Sequence, residues 1–117
     1  GTAIRDYIHV VDLAEAHVRA LEKLIEDPRS FVCNLGTGCG STVLEVVGAF
    51  EEVTGEKVPR EIVSRRTGDV AEAWADPAFA KRFLGWEAKR SLDDMLADAW
   101  RWQRQNPCGY CGDVESA

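Results

Sequence analysis

The feature that most constrains the fold of this chain is a series of helix patterns separated by β-branched segments. The segment after Asp12 carries apolar residues on one helical stripe, and two later segments repeat that spacing. Asp12 with Glu15 is predicted to form a capping box for the first helix, and Thr42 with Glu45 one for the second. Ser91 is the predicted cap of the last helix. The caps therefore divide the chain into helices with defined starts.

The segments between these helices predict strands. Residues 5–11, 31–35 and 58–64 are rich in β-branched or aromatic side chains, which favour extended structure. Pro77 is predicted to start a short helix that Gly85 ends. The predicted order is β-α-β-α-β-α-α, which indicates an α/β fold. Three short strands are few for an independent parallel sheet, so we expect the chain to be part of something larger.

Composition and charge exclude several kinds of partner. The 117 residues suit one domain, and the formal net charge of -6 argues against non-specific nucleic-acid binding. No apolar run approaches the roughly 20 residues that span a membrane, so we expect no membrane partner. Residue 1 is Gly and the sole methionine is Met95, which predicts a cut fragment or a processed product. Four cysteines are few for a disulfide scaffold. Reduced thiols and a cytoplasmic location are expected.

The strongest candidate site is the charged segment at residues 65–69. Arg65 and Arg66 precede a glycine and Asp69, and guanidinium groups match the geometry of phosphate oxygens. A carboxylate three residues after Arg66 can accept hydrogen bonds from a ribose diol. The segment therefore has two interpretations, a grip on a nucleoside diphosphate or a charged surface turn with a local ion pair.

The glycine-rich loop at residues 36–40 resembles a dinucleotide-binding turn only superficially. The fingerprint G-x-G-x-x-G requires glycine where Ser41 stands, and no acidic residue follows at the end of a second strand. We interpret the loop as a tight strand-to-helix turn, so no cofactor-binding residue is predicted in this chain.

No catalytic or metal-binding group is predicted either. Neither tyrosine begins the Tyr-x-x-x-Lys pair of hydride-transfer enzymes, and two histidines eight residues apart make no metal site. His17 falls on the apolar helical stripe and His9 in a predicted strand, where core positions are more common than catalytic ones. Cys108 and Cys111 have C-x-x-C spacing, but they lie in a Gly-rich tail without a matching pair. Tail thiols are therefore favoured over a zinc or redox site.

Six segments together resemble a known family. They are G-T-A-I-R-D-Y-I-H-V-V-D-L-A at 1–14, N-L-G-T-G at 34–38, R-R-T-G-D-V at 65–70, W-A-D-P at 74–77, L-G-W at 84–86 and W-R-W-Q-R-Q-N-P at 100–107. In this order they are similar to the C-terminal portion of UDP-glucose 4-epimerases, which belong to the extended short-chain dehydrogenase/reductase superfamily. The first motif is shared across that superfamily, and its combination with the third and the last narrows the resemblance to the 4-epimerases.

The resemblance implies a function and an incomplete site. The family binds NAD tightly, oxidises C4 of a UDP-hexose, rotates the keto sugar and reduces it from the other face. By resemblance, Arg5 and Arg66 hold the diphosphate and Asp69 the uridine ribose. In members of the family, the NAD-binding glycine loop and the Tyr-x-x-x-Lys lie in the N-terminal half of the protein, which this sequence does not include. Residues 1–107 are then a UDP-sugar-binding part, 108–117 a tail, and the chain alone is expected to be inactive.

Two features leave alternatives open. Ala73 stands where many bacterial members carry tyrosine and some eukaryotic members cysteine, so the resemblance does not fix the sugar specificity. The absence of every catalytic group also permits a stand-alone nucleotide-sugar-binding or interaction module. The upstream coding sequence separates these readings, since a glycine loop and Tyr-x-x-x-Lys there indicate the enzyme. The family also implies a homodimer for the longer protein.

Overall fold

The secondary structure follows the order that the sequence predicts. A computed structural model describes residues 2–110 of the chain. Its elements are β1 (Ile4–Arg5), α1 (Val10–Glu26), β2 (Ser41–Thr42), α2 (Val43–Thr54), β3 (Glu72–Ala73), α3 (Ala78–Leu84) and α4 (Leu92–Gln105). The predicted α/β class and the order β-α-β-α-β-α-α are therefore confirmed.

The three strands form one small mixed sheet with β1 in the centre. β2 pairs antiparallel with β1, and β3 pairs parallel with β1. The register places Arg5 beside Ser41 on one side and beside Ala73 on the other. The sheet thus brings the start of the chain next to residues about seventy positions later in the sequence.

The predicted strand positions are largely wrong. Of residues 5–11 only Arg5 is in a strand, and the last two of them belong to α1. Residues 31–35 and 58–64 are in no strand. β-branched side chains fit a pleated surface, but a strand also needs a neighbouring backbone to pair with. Both edges of β1 are occupied by β2 and β3, so these segments have no place beside it.

The cap of α1 also differs from the prediction. His9 is the N-cap residue, and its Nδ1 accepts a hydrogen bond from the Val11 amide at 3.0 Å. Asp12 lies in the first turn of the helix and is fully buried. Its carboxylate accepts from the amides of Lys89 and Arg90 at 3.0 and 2.9 Å and from the Arg90 side chain. Because these distant donors occupy the Asp12 carboxylate, it does not form the capping box with Glu15 that the sequence predicted.

The other local predictions are confirmed. Thr42 and Glu45 form the predicted capping box for α2, and Ser91 caps α4 as predicted. Asp94, which was not predicted to take part, completes a capping box with Ser91. Gly85 ends α3 in the left-handed conformation with φ of 61°. Each of these signals depends on residues within one helical turn, which is why the sequence suffices to find them.

The buried core lies between α1 and α3. Ala16, Ala80, Leu84 and Trp86 form it. The indole Nε1 of Trp86 donates to the Asp12 carbonyl at 2.9 Å. The expectation that His17 faces the core is wrong, because its side chain is exposed and its Nδ1 lies 2.8 Å from the Leu13 carbonyl within the helix.

Much apolar surface remains exposed around this core. On α1, Val18, Leu21 and Ile25 are 57%, 59% and 76% exposed. The Cα radius of gyration is 17.8 Å, whereas a compact domain of about 100 residues has about 13 Å. The described part of the chain is therefore more open than one compact domain. Within residues 2–110, every helix falls short of the length and apolarity that a membrane crossing requires.

Candidate functional site

The site begins with an ion pair between β1 and the segment before β3. Arg5 Nη2 donates to Asp69 Oδ1 at 2.8 Å and to the Val70 carbonyl at 3.1 Å, and Nη1 donates to the Ile4 carbonyl at 2.7 Å. The Arg5 and Asp69 side chains are 31% and 26% exposed. The guanidinium is thus held in one orientation while remaining accessible from solvent.

Arg66 lies on the other side of the same carboxylate. Its Nη2 is 3.5 Å from Asp69 Oδ2, and 87% of its side chain is exposed. The turn between them is closed by a hydrogen bond from the Asp69 amide to the Arg66 carbonyl at 3.3 Å. Gly68 has φ of 83°, a left-handed conformation that glycine adopts at little cost. We call Arg5, Arg66 and Asp69 the arginine–aspartate clamp, which has one positive charge in excess.

Ala73 borders this clamp. It lies in β3, in register with Arg5, and its side chain is exposed. The following Trp74 is 53% exposed. The structure therefore brings all four predicted substrate-binding positions, Arg5, Arg66, Asp69 and Ala73, to one edge of the sheet. Their roles in binding stay predictions.

The glycine-rich loop is organised around Asp6, which the sequence interpretation missed. The Asp6 carboxylate accepts from the Thr37 amide at 3.0 Å, the Thr37 hydroxyl at 2.6 Å and the Gly38 amide at 3.0 Å. It also lies 3.3 Å from the Ala75 amide, which donates to it. No local sequence signal marks Asp6, because most of its donors are backbone amides of distant segments.

The hydrogen bonds to Asp6 also limit how the loop at residues 36–40 could bind a dinucleotide. A pyrophosphate at such a turn needs free backbone amides, and those of Thr37 and Gly38 already donate to a carboxylate. That carboxylate would also repel the anion. These two amides are therefore engaged within the loop. The interpretation of the loop as a tight turn without a cofactor role stays a prediction.

The electrostatics of Asp6 reflect the same contacts. Burial opposes its ionisation, but the hydrogen bonds from Thr37, Gly38 and Ala75 outweigh burial and lower the pKa of the carboxyl below its ordinary value. Asp6 is therefore negatively charged throughout the neutral range, and the three segments it joins are tied by charge-assisted hydrogen bonds.

Other candidate groups do not converge on this edge. The buried His9 has its Nε2 3.2 Å from Asp98 Oδ2 on α4, away from the clamp. Among residues 2–110, no group of three or more His, Cys, Asp and Glu side chains could hold a metal ion. Cys111 lies outside the described residues, so the interpretation of the C-x-x-C spacing stays a prediction.

The small sheet and its helices match the C-terminal part of the extended short-chain dehydrogenase fold, as structural relatives of that fold confirm. The chain belongs to the family described as GDP-mannose 4,6 dehydratase, which matches residues 1–99. Within it, the chain is similar to UDP-glucose 4-epimerase of Bacillus subtilis (strain 168), with 60% identity over 110 residues. That match covers 94% of this chain and 32% of the relative. The human UDP-glucose 4-epimerase is 53% identical over 110 residues, covering 94% and 32%.

Solved structures give the same result. The UDP-glucose 4-epimerase of Stenotrophomonas maltophila, with bound NAD and formylated UDP-arabinopyranose, has a TM-score of 0.87 and 53% identity. The match covers 91% of this chain and 32% of that one. The enzyme of Bifidobacterium longum, in complex with NAD+ and UDP, has a TM-score of 0.81 and 46% identity over 93% of this chain and 32% of that one. The resemblance to 4-epimerases is confirmed. The chain spans about a third of the length of the curated relatives it matches.

Proposed function

We propose that this chain is the UDP-sugar-binding part of an NAD-dependent UDP-glucose/UDP-galactose 4-epimerase of galactose metabolism. Residues 1–107 form that part, and residues 108–117 are a tail. The observation that carries the proposal is the clamp, in which two guanidinium groups flank Asp69 at an accessible sheet edge. The similarity to epimerases crystallised with UDP or a UDP-sugar supports it.

The clamp has the chemistry for a nucleoside diphosphate. Arg5 and Arg66 supply planar donors for the two phosphates, and Asp69 supplies acceptor oxygens for the ribose hydroxyls. The contact between Arg66 and Asp69 is long and exposed, so exchanging it for a phosphate costs little. Arg5 keeps its orientation through the Ile4 and Val70 carbonyls when Asp69 turns to a ligand.

NAD is assigned to a part of the longer protein outside this chain. Two observations support this: the relatives' crystals contain NAD, and the Thr37 and Gly38 amides of this chain already donate to Asp6. The exposed apolar residues of α1 and the open shape support packing against that NAD-binding half. The homodimeric state and the cytoplasmic location of the longer protein belong to the same proposal.

The experiment that tests the binding role is calorimetric titration of the chain with UDP and with uridine. UDP should bind, and uridine should bind at least about tenfold more weakly because it lacks the groups that the arginines recognise. Equal affinities, or no binding of UDP, would contradict the proposal.

Activity provides a separate test. Hydride transfer needs a held nicotinamide and a positioned base, and neither sequence motif is in this chain. The chain incubated with UDP-galactose and NAD should therefore yield no UDP-glucose above a heat-treated control. Formation of UDP-glucose would show that the chain is catalytically complete.

A further inference from the structure

We propose that Asp6 is the positioning residue of the UDP-sugar site, and this inference rests on the function proposed above. Asp6 touches none of the clamp residues through its side chain. Its carboxylate instead joins the end of β1, the loop at 36–38 and the segment after β3, through donors on Thr37, Gly38 and Ala75. It fixes where Asp69 and Ala73 lie relative to Arg5.

Arg5 in β1 and Asp6 directly after the strand hold the two ends of one segment. Arg5 binds its first end through Asp69 and the Val70 carbonyl. Asp6 binds its far end through the Ala75 amide. The short β3 strand lies between these two attachments, with Ala73 exposed on it. A strand of two residues supplies little ladder energy of its own, so the attachments at both ends set its position.

Gly36 packs so closely against Asp6 and Ala75 that a side chain larger than that of glycine would not fit there. A Cβ atom built on Gly36 would lie 2.5 Å from Asp6 Oδ2 and 2.6 Å from the Ala75 Cβ. The backbone of the buried Gly36 therefore packs against both the Asp6 carboxylate and Ala75, whose amide donates to that carboxylate. A change at Asp6 therefore acts directly on Ala75, and through Ala75 on the segment that carries Ala73.

The Asp6→Asn variant tests the carboxylate at nearly constant volume. Each oxygen of Asp6 receives two donors, so an amide NH2 group must face two hydrogen donors whichever way it is placed. We expect the affinity of the chain for UDP to fall about tenfold, the effect of losing one charge-assisted hydrogen bond. Asp93→Asn removes an exposed charge on α4 and should leave UDP affinity unchanged within about twofold.

Hydrogen exchange separates positioning from general destabilisation. In Asp6→Asn the amides of residues 69–75 and of Gly38 should exchange faster, whereas those of Lys89 and Arg90 at the buried Asp12 should keep their rates. Equal acceleration at both places would overturn the proposal, because it would show that Asp6 acts on the whole fold.

A second pair of variants carries the test if Asp6→Asn does not fold. Thr37→Val removes the hydroxyl that donates at 2.6 Å, and Thr37→Ser retains it. UDP affinity should fall about threefold in Thr37→Val and recover in Thr37→Ser. Equal affinities in that pair would overturn the positioning role.

The outcomes distinguish this inference from the proposed function. If the unmodified chain does not bind UDP, the proposed function fails and the positioning role fails with it. If it binds UDP and Asp6→Asn binds equally well, the positioning role alone is wrong. Reduced affinity together with local exchange at residues 69–75 supports both.

Discussion

Two aspartates of this chain pair with arginines in opposite ways. Asp12 is fully buried and accepts from two backbone amides and from Arg90, beneath the indole of Trp86. Asp69 is partly exposed between Arg5 and Arg66, and the second contact is long and open to solvent. The first carboxylate has no accessible position left for a ligand, whereas the second can exchange partners.

The surroundings explain the difference. Asp12 sits where α1 meets the start of α4, so burial makes each of its hydrogen bonds costly to lose. Asp69 follows an exposed segment without regular structure and precedes a two-residue strand. Exposed ion pairs contribute only about 0–1 kcal/mol. One pair is therefore suited to stability and the other to binding.

The largest expected effect is on the buried pair. Asp12→Ala should lower the free energy of unfolding by about 3–5 kcal/mol, since it removes a buried carboxylate and leaves its donors without their acceptor. Urea denaturation followed by tryptophan fluorescence measures this loss, with exposed Asp93→Ala as the control, which should stay within about 0.5 kcal/mol. A loss for Asp12→Ala no larger than the control would erase the distinction between the two aspartates.

The converse effect is expected at Arg66. Arg66→Ala should weaken UDP binding by about 10- to 100-fold, because a charge-assisted hydrogen bond to phosphate is worth about 1.5–3 kcal/mol. Its free energy of unfolding should change by less than about 0.5 kcal/mol, as for other exposed substitutions. Calorimetry and urea denaturation measure the two quantities.

Arg66→Lys is the matched variant for that experiment. It keeps the charge but loses the planar arrangement of donors, so it should recover only part of the affinity. If UDP affinity is unchanged in Arg66→Ala, the phosphate-binding interpretation of residues 65–69 is wrong and the segment is a charged surface turn.

The sequence predicted local features far better than distant ones. The capping boxes at Thr42 and Ser91 and the left-handed Gly85 follow from residues within one turn, and all are present. Asp12 has the same local signature as a cap, yet its partners Lys89 and Arg90 lie more than seventy positions away. The sequence near Asp12 gives no sign that Lys89 and Arg90 compete with the local capping role for its carboxylate.

The candidate site shows the same division. The residue types at 65–69 left two interpretations open, a grip on a nucleoside diphosphate or a charged surface turn, and the resemblance added Arg5 and Ala73. The register that places Arg5 against Ala73 depends on strand pairing, which β-propensity located at 58–64 instead. Asp6 was missed because its importance lies in amides of two distant segments, and backbone donors carry no sequence signature.

Low pH should reveal how much the ionised, buried carboxylate of Asp12 contributes to the free energy of unfolding. Burial opposes ionisation of Asp12, but hydrogen bonds from Arg90 and Lys89 outweigh it and lower the pKa below the ordinary 3.8. A lowered folded-state pKa contributes stability that is present above pH 3.8 and lost as the pH falls through the folded value. The free energy of unfolding should therefore decline below about pH 4.

The charge-free variant provides the check on that decline. Asp12→Asn cannot titrate, so its free energy of unfolding should depend less steeply on pH in the acid range than that of the unmodified chain. Asp93→Asn should keep the original slope. Parallel slopes for Asp12→Asn and the unmodified chain would assign the acid sensitivity to other carboxyls, such as Asp6.

The smallest effect concerns sugar choice at Ala73. Because Ala73 is in register with Arg5, the two side chains lie on the same face of the sheet. In the proposed complex we expect the hexose to lie beside Ala73. Alanine leaves room there that tyrosine would fill, and an N-acetyl group at C2 needs such room. We therefore predict that the longer epimerase interconverts UDP-N-acetylglucosamine and UDP-N-acetylgalactosamine as well as the plain hexoses.

The test compares kcat/KM for the two substrate pairs in the longer enzyme and in its Ala73→Tyr variant. Tyrosine should reduce turnover of the N-acetylated pair while largely sparing UDP-glucose, since a steric clash discriminates strongly whereas extra space excludes little. Ala73→Ser, which adds little volume, should retain both activities. The exposed position makes the unfolding free energy insensitive to either change. If the unmodified enzyme rejects N-acetylated sugars, or if tyrosine impairs both pairs equally, Ala73 does not control sugar choice.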